Sequence, residues 1–362
     1  MWGGDQRNLP AVHNNEEKKS MCSVMEVYHL LTGRWEQKPT TGNPPLGVVG
    51  YATAAIETEI FYFGGWCRHD NCNHNSLYSF NVDTFNWKEL SPTTPHHGPM
   101  MKWRCDMAAV QINGENYLVV IGGTGPSFNN APKQPGAQYQ KCQYSSNNEV
   151  HVYKLSSGQW ISLTVTGDRP PPISIFTLTS INCSSAILFG GKTANGRSNN
   201  TSRNENGKAT YAYSTLARSS LDISYNHIDC SKLSNPRGSV QWPKGRSAHS
   251  SVLINTSSGP HLLVVGGMTY DFWIFDIINK LWKQLLNMPK NVTNRYNHSL
   301  SVLNVTPATN WIIIFGGLTS YNDTAVVELR RAFIGLGVVY NHDRQTSIKE
   351  LEGSDPYKNI TG

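Results

Sequence analysis

Apolar residues fall in short runs along the chain, and five of these runs stop at a pair of glycines. Ile60-Phe61-Tyr62-Phe63 leads into Gly64-Gly65, Leu118-Val119-Val120-Ile121 into Gly122-Gly123, and Ala186-Ile187-Leu188-Phe189 into Gly190-Gly191. Leu262-Leu263-Val264-Val265 precedes Gly266-Gly267, and Ile312-Ile313-Ile314-Phe315 precedes Gly316-Gly317. A sixth pair, Gly3-Gly4, follows only Met1-Trp2. Short β-branched and aromatic runs bounded by glycine predict buried strands, since helices need longer amphipathic stretches. The second glycines are spaced 61, 58, 68, 76 and 50 residues apart, so the pattern is a loose repeat.

A second pattern locks to the first. Trp35, Trp87, Trp160 and Trp282 each follow an aromatic residue by seven positions: Tyr28, Phe80, Tyr153 and Phe275. Tight turns such as Thr32-Gly33-Arg34 and Ser157-Gly158-Gln159 lie between. The order predicts four antiparallel strands per repeat, which is the signature of a propeller blade. The tryptophan is placed to fill the wedge between blades.

The Gly-Gly doublet, the aromatic residue and the spaced tryptophan resemble the kelch repeat. The expectation is an all-β kelch β-propeller over residues 1–341, with six blades of four antiparallel strands and an incomplete first blade, followed by a polar tail at 342–362. The fourth blade is irregular, with 50 residues between Gly191 and Trp242, and the sixth has no tryptophan after Gly317. A C-terminal segment such as Gly337-Val338-Val339-Tyr340 is a candidate to supply the missing strand pairing.

Composition narrows the partners. Charged residues make up 15% of the chain, too few for coiled coils or long charged helices, and the aromatic content of 10% is enough for a packed core. The net charge of +6 is not gathered into basic runs, so neither nucleic acid nor membrane is an expected partner. Long insertions follow the glycine doublets at 5–22, 66–75, 124–146 and 192–209. Insertions gathered on one face of a repeat protein usually mark its binding face.

The segments between blades bring Arg104, Arg169, Arg246 and Arg295 to that face, and Trp66, Trp103, Tyr270 and Tyr321 are candidate pocket walls. Arginine's planar fork suits a carboxylate, so an acidic ligand or chain terminus is expected there. The alternative is that these arginines pair locally. His249 and His298 stand three residues after Arg246 and Arg295 and read as buried hydrogen-bonding residues.

Cys67, His69, Cys72 and His74 have zinc-binding side chains, but one short loop does not match the usual spacing of two ligand pairs, and no metal or other cofactor is expected. A Cys67–Cys72 disulfide is less favoured still. Seven cysteines form no even framework, and free thiols in a reducing compartment are the economical reading. Nine Asn-x-Ser/Thr sequons, including Asn182, Asn255 and Asn304 at matching hairpin positions, keep an extracellular, glycosylated adhesion or carbohydrate-binding propeller as the alternative.

No phosphate loop, nucleophile elbow or His-Glu-x-x-His motif occurs, so catalysis is not expected. Trp2-Gly3-Gly4, Thr32-Gly33-Arg34-Trp35 and Gly245-Arg246-Ser247-Ala248-His249-Ser250 resemble, in order, the blades of intracellular kelch-domain substrate receptors of cullin-RING ubiquitin ligases. That resemblance implies a cytoplasmic or nuclear protein that binds a protein or peptide ligand, such as a C-terminal degron. It implies that Arg246 helps to hold the degron carboxylate. A cullin-RING adaptor is an implied partner, although Glu328-Leu329-Arg330-Arg331-Ala332-Phe333-Ile334 is not a convincing adaptor box.

Overall fold

In the computed structural model, residues 1–5, 8–70, 72–92, 98–126, 144–161, 163–168, 170–193, 218–224, 227–232, 242–256, 258–306, 309–317, 323–330 and 340–341 are described. They form two compact units. One comprises residues 1–27 and 36–233, the other residues 28–35 and 234–362. No helix among the described residues is long and apolar enough to cross a membrane.

In the first unit, helix α1 (Glu16–Cys22) starts at Asn15, whose side chain accepts from the Lys18 amide, and leads into strand β1 (Val24–His29). Strand β2 (Arg34–Pro39) returns beside it, and the turn end of this hairpin belongs to the second unit. Met1 lengthens the hairpin sheet, since the Glu26 amide donates to its carbonyl. The next sheet is β3 (Ala52–Ile56), β4 (Glu59–Phe63), β5 (Leu77–Asn81) and β6 (Asn86–Ser91), paired in sequence order. After β7 (Asp106–Ile112) and β8 (Glu115–Ile121), a small ladder of β9 (Thr124–Pro126) and β10 (Tyr144–Ser146) starts the long insertion. Strands β11 (Val150–Lys154) and β12 (Gln159–Ile161) then complete that sheet.

The fourth sheet departs from expectation. Strand β13 (Thr164–Gly167) runs parallel to β17 (His227–Lys232), making a fifth strand outside β14 (Ile173–Ser180), β15 (Ser185–Thr193) and β16 (Arg218–Ser224). The same parallel crossing occurs once earlier as a single bridge, Thr41 to Asn86. Both crossings end in a Thr-Gly pair with left-handed glycine, and a Cβ on Gly42 or Gly167 would stand 2.2 or 2.1 Å from a carbonyl oxygen of the neighbouring strand. Thr41-Gly42 and Thr166-Gly167, each with a proline of a run of two or three at the third position after the glycine, are the sequence signal for these crossings.

The second unit holds β18 (Ser250–Thr256), β19 (Gly259–Val265), β20 (Phe272–Asp276) and β21 (Leu281–Gln284), then the turn α2 (Lys290–Thr293). Its other sheet is β22 (Ser299–Thr306), β23 (Thr309–Phe315), β24 (Thr324–Arg330) and β25 (Tyr340–Asn341). Tyr340 thus adds the outer strand to the last sheet by pairing with Glu328, and does not join the first hairpin. The five apolar runs all become second strands, β4, β8, β15, β19 and β23, buried because both faces of each sheet are covered.

All six glycine doublets have left-handed φ at both positions, between 58° and 108°. Four of them make the same connection. The second glycine's amide donates to a carbonyl one repeat further on: Gly4 to Val48, Gly65 to Lys102, Gly123 to Ile173 and Gly267 to Arg295, at 2.7–2.9 Å. The first glycine sits so close to that carbonyl that a Cβ would lie 2.9, 2.6, 2.6 and 2.3 Å from it at Gly3, Gly64, Gly122 and Gly266.

The spaced tryptophans are cross-strand partners of their aromatics: Phe80 with Trp87, Tyr153 with Trp160 and Phe275 with Trp282. Each tryptophan also reaches a neighbouring element. Trp160 packs on Phe63 with ring centroids 5.4 Å apart, Trp87 on Trp2 at 5.0 Å, and Trp35 on Phe315 at 4.7 Å. The fourth sheet pairs Leu221 with Cys230 at this position, so Trp242 is not its tryptophan; Trp242 lies against Trp282 in the second unit.

Gly64→Ala should cost more than about 2 kcal/mol, combining left-handed strain with a carbonyl clash. Gly4→Ala, where an added Cβ meets nothing within 4 Å, should cost only about 1 kcal/mol. Urea unfolding of the two variants checks the difference.

Candidate ligand-binding face

The carbonyl that receives each doublet belongs to a residue at one fixed repeat position: Val48, Lys102, Ile173 and Arg295. Lys102 and Arg295 are fully buried there, and Arg246 is buried in the same way beside its own doublet. Arg246 forms a fork on Asp271, with Nη2 donating to Oδ2 at 3.1 Å and Nη1 to Oδ1, and Nη1 also reaches the Gly266 carbonyl. Arg295 repeats this with Asp323, Nη2 to Oδ2 at 2.6 Å, and with the Gly316 carbonyl at 2.8 Å. Lys102 pairs with Glu149 at 3.1 Å. Burial alone would raise the Glu149 carboxyl, but Lys102 and His151 outweigh it and hold the group down at about 2.

These acids, Glu149, Asp271 and Asp323, each stand immediately before the third strand of their sheet. In the sheet where Val48 replaces the cation, Ser76 replaces the acid. The cation and acid are therefore one internal unit that is present or absent together. This corrects the sequence reading of Arg246 and Arg295 as ligand-holding residues. Their guanidinium groups face an intramolecular carboxylate and are shut off from solvent. Removing one partner of such a pair strands a buried charge, so Arg246→Met should destabilise the fold by about 3–5 kcal/mol in urea unfolding.

His298 is buried as expected, but neither of its ring nitrogens has a hydrogen-bond partner among the described residues. Its ring packs against a glycine doublet, since a Cβ on Gly266 would lie 3.0 Å from the His298 ring, while a Cβ on Gly267 would lie 3.1 Å from the Cβ of His249. Burial, aided by Arg295, pushes the His298 pKa down to about 4. The unfolded chain titrates near 6.5 and so binds more protons between the two values. Stability should therefore fall by up to about 3 kcal/mol as pH drops from about 7 to about 4, and His298→Phe should remove that share of the slope. Urea midpoints across this window check it.

Arg104 occupies a different position, two residues past the buried Lys102. Its backbone is held in the left-handed region, with φ 57°, by the Gly50 carbonyl on one side and the Ile175 amide on the other. The residue is exposed, its guanidinium carbon lies 3.8 Å from the Trp103 ring centroid, and partial burial of the guanidinium lowers its pKa from the ordinary arginine value. Among the described residues no carboxylate lies within ion-pair distance of it. Trp103 is pinned by a two-way ladder with Thr124, and Trp66 by the same ladder with Val49. Thr124 and Trp66 are each the first residue after a glycine doublet, so the insertions and the between-sheet segments do meet on one face of this unit. The two indoles stand 5.9 Å apart, and Trp66 Nε1 donates to the Asp70 carbonyl.

The structure thus unites Trp66, Trp103 and Arg104. Tyr270, 49% exposed, projects from the loop after Gly266-Gly267 in the second unit. Arg169, Tyr321, the insertions at 127–143 and 194–217, and the tail at 342–362 lie outside the described residues. Among the described residues, Cys22, Cys67, Cys72, Cys105, Cys183 and Cys230 form no disulfide. Cys67, Cys72 and His74 converge with His13, a residue from the N-terminal segment, while His69 points instead toward Asp70 at 3.8 Å. His13 lies 54 residues before Cys67, and nothing in the local sequence linked it to that loop.

The family model of the KLHDC2/KLHL20/DRC7 Kelch-repeats domain matches residues 1–191 and 136–317. The chain therefore belongs to the kelch-repeat β-propeller family. Among its relatives are host cell factor of Drosophila melanogaster, 26% identical over 72% of this chain and 15% of that protein, and human Kelch domain-containing protein 1, 22% identical over 88% and 72%. Human Kelch domain-containing protein 3 is 27% identical over 35% of this chain and 31% of its own. The solved structure of YjhT superposes with a TM-score of 0.52 at 16% identity, covering 86% of this chain and 88% of that one, a likeness of fold alone.

Proposed function

We propose that the chain is a non-enzymatic protein-interaction propeller that binds an acidic peptide segment of a partner protein through Trp66, Trp103 and Arg104. Arg104 carries the reading, because it is an exposed residue whose guanidinium stacks on an indole and has no carboxylate at ion-pair distance among the described residues. A stacked guanidinium is pre-oriented and keeps its edge donors available for a carboxylate. Neighbouring indoles supply apolar area at low conformational cost, as in the anchor clusters of peptide-binding surfaces. Membership of a family of generally non-enzymatic binding scaffolds supports the same reading.

The test is binding of the purified chain to a peptide array containing acidic internal segments, free C-termini and their amide-neutralised counterparts. Carboxylate-dependent binding should weaken about tenfold or more in Arg104→Ala, and similarly in Trp103→Ala, with unfolding midpoints unchanged. Affinity that survives both substitutions in a folded chain would sink this assignment. Binding to glycan probes in place of peptides would favour the carbohydrate reading.

A further inference from the structure

The four side chains His13, Cys67, Cys72 and His74 place all their ligand atoms within 4.8 Å of one another. His13 Nδ1 lies 3.2 Å from Cys72 Sγ and 3.9 Å from Cys67 Sγ, and His74 Nε2 lies 3.7 Å from Cys72 Sγ. A tetrahedron of two thiolates and two imidazoles about zinc has edges of roughly 3.3–3.8 Å, given the metal–ligand bond lengths. The three sulfur–nitrogen separations, 3.2–3.9 Å, bracket that range, and none of the six separations exceeds 4.8 Å, so small side-chain shifts close the tetrahedron. We propose that His13, Cys67, Cys72 and His74 form a structural zinc site that fastens the N-terminal segment to the sheet of β3–β6.

Three further features are built around this point. Cys67 and Cys72 are drawn together by backbone bonds from the Cys67 amide to the Cys72 carbonyl and from the Cys72 amide to the His69 carbonyl. Arg68 and Asp70, neither of them glycine, are left-handed between the two cysteines, a strained conformation that persists only where its surroundings over-determine it. Lys18 is wholly buried, and its ammonium donates to the carbonyls of Val12, His13 and Cys67. It thereby clamps the two ligand-bearing segments to each other, while the Arg68–Asp5 ion pair at 3.5 Å adds a peripheral tie. Cys67 and His74 are buried, Cys72 half-buried and His13 at the surface, so the site is closed on the protein side and reachable from solvent. Soft thiolates with imidazoles select zinc over calcium or magnesium. Four protein ligands leave no open position, which marks the role as structural.

The site's readout does not depend on any ligand of the Trp103 face. The full chain, purified without chelator, should carry about one zinc per molecule by elemental mass spectrometry. Cobalt exchange should give thiolate-to-metal charge transfer and the visible bands of a four-coordinate centre. In competition with a chromophoric chelator, His13→Ala should weaken zinc binding at least about tenfold. His13→Cys should restore it, and His69→Ala should leave it unchanged. The proposal is overturned by a chain that takes up no zinc at micromolar free metal, by a Cys67–Cys72 disulfide in the alkylated protein, or by wild-type affinity in His13→Ala. If His13→Ala does not fold, the cobalt spectrum of the unaltered chain decides between a two-thiolate tetrahedral centre and none.

Discussion

One backbone constraint recurs through this molecule: a left-handed glycine pair whose second amide reaches a carbonyl in the following repeat. The first glycine must lie so close to that carbonyl that no side chain fits, at 2.3–2.9 Å for an imagined Cβ. Because the bond joins one sheet to the segment that opens the next, it sets both the spacing of the sheets and the entry point of each inner strand. The cross-strand aromatic–tryptophan pairs then fill the widening space further out, as Trp160 does against Phe63. Gly3-Gly4 has the same geometry, with left-handed φ at both glycines and the Gly4 amide on the Val48 carbonyl.

The same constraint explains where the buried charges sit. The residue that offers its carbonyl to the doublet directs its side chain back along its own sheet, toward the residue ahead of the third strand. A long cation there meets an acid, as in Lys102–Glu149, Arg246–Asp271 and Arg295–Asp323. With valine at the first position, serine suffices at the second. Two residues further along, the chain turns outward through a left-handed Arg104, and the same residue type becomes solvent-facing. Buried and exposed arginines are thus separated by their phase in the repeat.

The repeat was legible in the sequence because its determinants are local: glycine doublets, apolar runs and an aromatic seven positions before a tryptophan. The site was less legible because phase was read from chemistry. Arg104 was grouped with Arg246 and Arg295, although alignment on the doublet carbonyls matches Lys102 to Arg295. The acids that neutralise these cations lie 25, 28 and 47 residues away, beyond any local motif. His13 escaped notice for the same reason, since only the fold carries it to the Cys67–Cys72 loop. The parallel crossing by β13 was written in a Thr-Gly pair that repeats at Thr41-Gly42, a weaker signal than the doublets.

Residue-resolved arginine modification separates the two phases most directly. The native chain treated with a dicarbonyl reagent, digested and mapped by mass spectrometry should show Arg104 modified rapidly, with Arg246 and Arg295 protected until the fold is disrupted. Modification of Arg246 or Arg295 in the native chain as fast as that of Arg104 would contradict the division between buried and exposed arginines.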